Sequence, residues 1–174
     1  SNKLNYKLNY KSKLINKKNV ETIGKLNTID LGLINICVVE CFDMDYNLYN
    51  YHIYDMIRRD DNRQIRVKLC DAFHYYHYIN YDFIRNYFDG ASGIMLLFDL
   101  SFPESLEFAL YLYKSFIKKE FICILVGIKF HLESNISYEK ANKTASDNNL
   151  LYFEVTDLKN KGINEAISFI IASI

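Results

Sequence analysis

Gly93-Ile94-Met95-Leu96-Leu97-Phe98-Asp99 is the stretch on which the fold turns. A strand with one wet face alternates apolar and polar residues, and this run has no polar side chain until its last position. It reads as a strand buried on both faces, the situation of a parallel sheet covered by helices. The residues after it change period. Ser101 stands as an N-cap, Pro103 opens a helix, and Glu104 lies in its first turn. Apolar residues then recur at helical spacing as far as Lys119.

The alternation continues toward the C-terminus. Phe121-Ile122-Cys123-Ile124-Leu125-Val126-Gly127 is a second continuous apolar run, and Leu150 to Val155 is a third. Between them, Ser137 caps a helix expected to reach Asn148, and Asn164 to Ile174 closes the chain as a helix with Ala166, Ile167, Phe169 and Ile170 on its apolar side. Toward the N-terminus, Ile65 to Leu69 alternates as a strand after Arg58-Arg59-Asp60-Asp61-Asn62, a polar turn of hairpin type. A helix is expected from Gly32 to Phe42, with Cys37 and Cys41 four apart upon it. Strand and helix in turn, without a Pro- or Gly-rich linker, indicate one doubly wound α/β domain with right-handed crossovers.

Composition narrows the functional classes. The 174 residues suit a single domain with one sizeable core. The 21 basic and 21 acidic residues cancel, so no general electrostatic attraction to nucleic acid is expected. The charge is uneven, however: Lys3, Lys7, Lys11, Lys13, Lys17 and Lys18 crowd residues 1–19. That segment reads as a basic arm, either solvated or touching an anionic membrane or acidic partner, ahead of a domain over 20–174. No apolar run approaches the roughly 20 residues that span a bilayer. Neither a secretory signal nor a C-terminal prenylation cysteine is evident. Four cysteines without a His or Cys pair at zinc-type spacing suggest core packing in a reducing compartment and no metal site.

Ligands of open parallel sheets bind beyond the carboxyl ends of the strands, so those positions are the informative ones. Tyr87-Phe88-Asp89-Gly90-Ala91-Ser92-Gly93-Ile94 is similar to the helix end and fourth strand of Rab-type small GTPases of the Ras superfamily. Leu96-Leu97-Phe98-Asp99-Leu100 with Pro103-Glu104-Ser105-Leu106 resembles the same family's strand and following helix start. Leu125-Val126-Gly127 with Lys129 and Leu132 resembles its guanine-recognition strand. Phe153-Glu154-Val155-Thr156 and Gly162-Ile163-Asn164-Glu165-Ala166 resemble its last strand, loop and helix. Four such stretches in order extend the resemblance from about Val20 to Ile174. It implies a single three-layer P-loop-type domain with a mostly parallel six-stranded sheet and helices on both faces.

What the resemblance implies about the site is a set of vestigial positions. With Gly24 as the first loop glycine, the letters Gly-Lys-Ser/Thr are met by Ile29, Asp30 and Leu31. Leu31 has no oxygen for Mg²⁺, and Asp30 puts a carboxylate where phosphate charge would sit. At 4 Å and an effective dielectric near 20, one such charge pair amounts to roughly 4 kcal/mol. Asp30 either fills the anion site itself or simply caps the expected helix. Tyr46 to Tyr54 aligns with the first switch, and Tyr49 replaces its metal-binding threonine. Asp71 matches the aspartate of the second switch, but Ala72-Phe73-His74-Tyr75 lacks the glycine and glutamine that come next in the family. Ile128-Lys129-Phe130-His131 keeps only the lysine of the guanine motif, and Thr156-Asp157-Leu158 replaces its closing Ser-Ala-Lys.

The expectation is a Rab-like pseudo-GTPase: a nucleotide-independent adaptor or subunit, cytoplasmic or peripheral on an intracellular membrane, with a setting in vesicle trafficking by family analogy. Its partner-binding surface is expected at Tyr75, Tyr76, Tyr78, Tyr81 and Phe83, where the family has its effector surface and tyrosines offer contact area at low entropic cost. The alternative for that stretch is packing against its own helix. Two other functions stay open: a divergent GTPase that binds GTP or GDP with Mg²⁺ and hydrolyses weakly, and a structural subunit unrelated to trafficking.

Overall fold

The computed structural model describes residues 21–22, 34–42, 54–60, 63–71, 86–117, 119–129, 133–156 and 161–174. Among these, seven strands and three helices succeed one another: β1 (Glu21–Thr22), β2 (Ile34–Glu40), β3 (Tyr54–Asp60), β4 (Arg63–Asp71), β5 (Gly93–Asp99), α1 (Pro103–Phe116), β6 (Ile122–Ile128), α2 (Tyr138–Asp147), β7 (Leu151–Val155) and α3 (Lys161–Ser173). All seven strands form one sheet in the order β1-β3-β4-β2-β5-β6-β7. Strands β4, β2, β5, β6 and β7 run parallel, while β3 is antiparallel to β4 and β1 to β3. The fold is thus α/β with a five-stranded parallel core, and the sheet has seven strands where six were expected.

Every residue of β5 is buried, as its unbroken apolar run requires. Alternate residues feed two cores. Cys37, Val39, Ile94, Leu96, Phe98, Leu125 and Tyr152 pack under α1 and α2 with Leu106, Phe108, Ala109, Leu112, Ala141 and Ala145. Ile36, Val38, Met95, Leu97, Ile124 and Val126 point the other way, toward Ile163, Ala166, Ile167 and Ile170 of α3. Helix, sheet and helix make three layers. At Gly93 a Cβ would lie 2.3 Å from Ile170 Cγ2, so α3 approaches β5 through the space that the missing side chain leaves.

The expected helix from Gly32 to Phe42 is a strand instead. Ile34–Glu40 is the central strand of the sheet, paired in parallel with β4 on one side and β5 on the other. The expected helix followed from placing the family's phosphate loop at Gly24 to Leu31, directly before it. The β-branched residues Ile34, Ile36, Val38 and Val39 and the two-residue alternation between the cores favour the extended form. Two smaller differences lie in the neighbouring hairpin. Arg58, Arg59 and Asp60, expected in the turn, belong to β3, with Asp60 opposite Arg63. Tyr54, placed at the end of the first switch, is the first residue of that same strand.

The start of α1 also differs. Its N-cap is Phe102, which makes no side-chain capping bond, rather than Ser101. Ser101 turns back to the strand: its N–H and its hydroxyl both donate to Asp99 Oδ1, at 2.8 and 2.6 Å. The cap of α2 is as expected, with Ser137 Oγ accepting from the N–H of Lys140 at 3.2 Å.

Candidate functional site

Strand order reverses at β2, since β4 and β3 lie to one side of it and β5, β6 and β7 to the other. In an open parallel sheet this reversal opens a crevice at the carboxyl ends, which is where ligands bind. The residues there are Asp71 of β4, Glu40-Cys41-Phe42 at the end of β2, Asp99-Leu100 at the end of β5, Ile128-Lys129 at the end of β6 and Val155-Thr156 at the end of β7. Glu40 lies opposite both Asp71 and Leu97 in the two ladders. It is 1% exposed and Asp99 is 3% exposed, so two carboxyl groups are sunk into adjacent strand ends. Acids are rarely buried so completely, because desolvating a carboxylate costs several kcal/mol.

Asp99 is held by its own turn. Besides the two bonds from Ser101, its N–H donates to Ser105 Oγ at 2.9 Å, and that hydroxyl reaches the carbonyl of Phe102 at 2.6 Å. Ser105 is fully buried, so the first turn of α1 is knitted to the end of β5 from inside.

The backbone amides at the strand ends are engaged within the sheet. Cys41 N–H donates to Leu97 O at 2.9 Å, Leu100 N–H to Ile128 O at 3.0 Å, and Lys129 N–H to Val155 O at 2.9 Å. Each ladder therefore continues past its strand. An anion cradle needs consecutive N–H groups turned outward, and these three are turned into the sheet. The carbonyl of Leu100 is in turn occupied by the N–H groups of Asn135 and Ile136, at 3.0 and 3.1 Å. Asn135 Nδ2 donates to Ser101 O at 2.8 Å, which fastens the segment before α2 across the end of β5.

Two tyrosines complete the surroundings. The buried hydroxyl of Tyr87 lies 3.0 Å from Val38 O and 2.8 Å from Lys68 O, and so ties the residues leading into β5 to both β2 and β4. On the opposite flank, Tyr152 donates its hydroxyl to the Glu154 carboxylate. That hydroxyl fills the space above Gly127, where a Cβ would come within 2.4 Å of it. Its ring stands 6.1 Å from that of Phe98 and 5.5 Å from that of Tyr138. Burial first, then the bond to Glu154, pushes the Tyr152 phenol well above its usual range.

Of the residues expected at the site, Asp71, Lys129 and Thr156 fall at the carboxyl ends of β4, β6 and β7, with Lys129 half-buried and Thr156 exposed. Gly24, Asp30, Leu31, Tyr49 and His131 lie outside the described residues, as do Tyr75, Tyr76, Tyr78, Tyr81 and Phe83. The next described element beyond Asp30 is the strand β2, so the helix whose entrance Asp30 was expected to occupy is not there. Sequence reasoning missed Glu40 altogether. The signal was present: a carboxylate closing an apolar, β-branched run marks the end of a buried strand. Tyr87 was noticed only as part of a resemblance, and nothing in its spacing announced a bond to two strands.

Among the described residues, no group of three His, Cys, Asp or Glu side chains could hold a metal ion, and no helix is long and apolar enough to cross a membrane. No curated protein matches the chain. Residues 50–174 match the family described as the Ras family, a stretch that begins in the connection between β2 and β3 and runs to the last residue.

Proposed function

The chain belongs to the Ras family, and from that premise we propose that it works as a Rab-like pseudo-GTPase, a nucleotide-independent adaptor or subunit. The observation that carries this reading is the makeup of the connection leaving β2. A Gly-x-x-x-x-Gly-Lys-Ser/Thr loop starting at the end of the strand where the order reverses would occupy residues 40–47. The four defining positions are then Glu40, Asp45, Tyr46 and Asn47. Residues 41–53, the whole connection from β2 to β3, contain no Gly, Lys or Arg but do contain Asp43 and Asp45.

Three effects point the same way. Without glycine, the backbone cannot cheaply turn several N–H groups toward one anion. Without a cation, phosphate charge has no partner there; Glu40 and Asp99 add buried carboxyl groups nearby. Exchanging one attractive charge pair for a repulsive one at about 4 Å amounts to several kcal/mol, or several powers of ten in affinity. The connection is also short. After an eight-residue loop, only 48–53 would remain for the helix and first switch that separate loop from strand in this family.

On this reading no GTP, GDP or Mg²⁺ is bound, and the partner is a protein. The tyrosine-dense segment at Tyr75, Tyr76, Tyr78, Tyr81 and Phe83 is the proposed contact surface, in a cytoplasmic setting of vesicle trafficking, with the basic residues 1–19 as a peripheral membrane contact. Denaturing the purified chain and chromatographing the supernatant is expected to release no guanine nucleotide. One equivalent of GDP or GTP per chain would overturn the reading.

A further inference from the structure

We draw no further inference here: the strongest candidate, the sheet edge at β7 flanked by the exposed side chains of Tyr138 and Leu151, carries nothing, because nothing in the structure shows what covers it.

Discussion

Replacing Gly93 by alanine tests whether the contact between β5 and α3 holds the two main layers in register. The new Cβ would stand 2.3 Å from Ile170 Cγ2, with two further atoms of the same side chain at 3.3 and 3.4 Å. Carbon atoms pack best at roughly 3.5–4.0 Å, so one side must retreat by about 1.2–1.7 Å. Neither has room. Ile170 is fully buried, and Gly93 is paired in the ladder with Ile36 and Ile122. Overpacking of this kind costs roughly 1–3 kcal/mol. Ile170→Ala alone leaves a cavity and should cost about 2–5 kcal/mol. In the double variant the methyl at 93 takes part of the vacated space, so the combined loss should fall short of the sum by about 1–2 kcal/mol. Urea unfolding at constant slope reads these differences from the midpoints, and for a chain of this size each kcal/mol corresponds to roughly 2–4 °C in Tm. Losses that add to within about 0.4 kcal/mol would show that the two sites do not share that space.

The hydrogen bonds give further expected outcomes. Tyr87→Phe removes a buried hydroxyl within reach of Val38 O and Lys68 O and should cost about 1–2 kcal/mol in the same assay; an unchanged midpoint would mean that the hydroxyl contributes nothing. Tyr152 has a phenol pKa raised by burial, so above the ordinary value near 10 the unfolded chain ionises while the folded chain stays neutral. Stability is then fully present below that value and falls as pH rises beyond it. Tyr152→Phe should therefore lose stability less steeply between about pH 10 and 11 than the parent chain; parallel curves would contradict this. Alanine at Ser137 removes the acceptor for the Lys140 N–H and should cost about 0.5–1 kcal/mol, with serine-to-threonine nearly neutral. A thermal melt of the three chains checks the order, and equal stabilities would refute the capping role.

The C-terminal half was legible because its signals are long and agree with one another. Gly93 to Asp99 was read with both bounds as observed, and Ser137 as the cap of α2, since apolar continuity and a capping hydroxyl are local properties. The expected strands at Phe121–Gly127 and Leu150–Val155 moved by a residue, as ends do. The failure at β2 has a different cause. The four-residue apolar run from Ile36 to Val39 fits a buried helix turn or a buried strand equally well until its neighbours are known, and those neighbours are distant in sequence. The helix expected after Gly24 to Leu31 went with that misreading, and Glu40 was passed over with it. Long-range bonds such as that from Tyr87 to the carbonyls of Val38 and Lys68 left no trace in spacing, because they depend on which strands are adjacent.

The central place of β2 carries a consequence for how the chain is made. Synthesis runs from the N-terminus, so Ile34–Glu40 leaves the ribosome before either of its neighbours exists. Its partner on one side is finished only with Asp71, and on the other only with Asp99. Until then Ile36, Val38 and Val39 belong to a nascent apolar segment with no companion strand downstream. Such a segment is a point of vulnerability to aggregation during translation, and the polar residues Asn35 and Glu40 are the interruptions it carries within its own length.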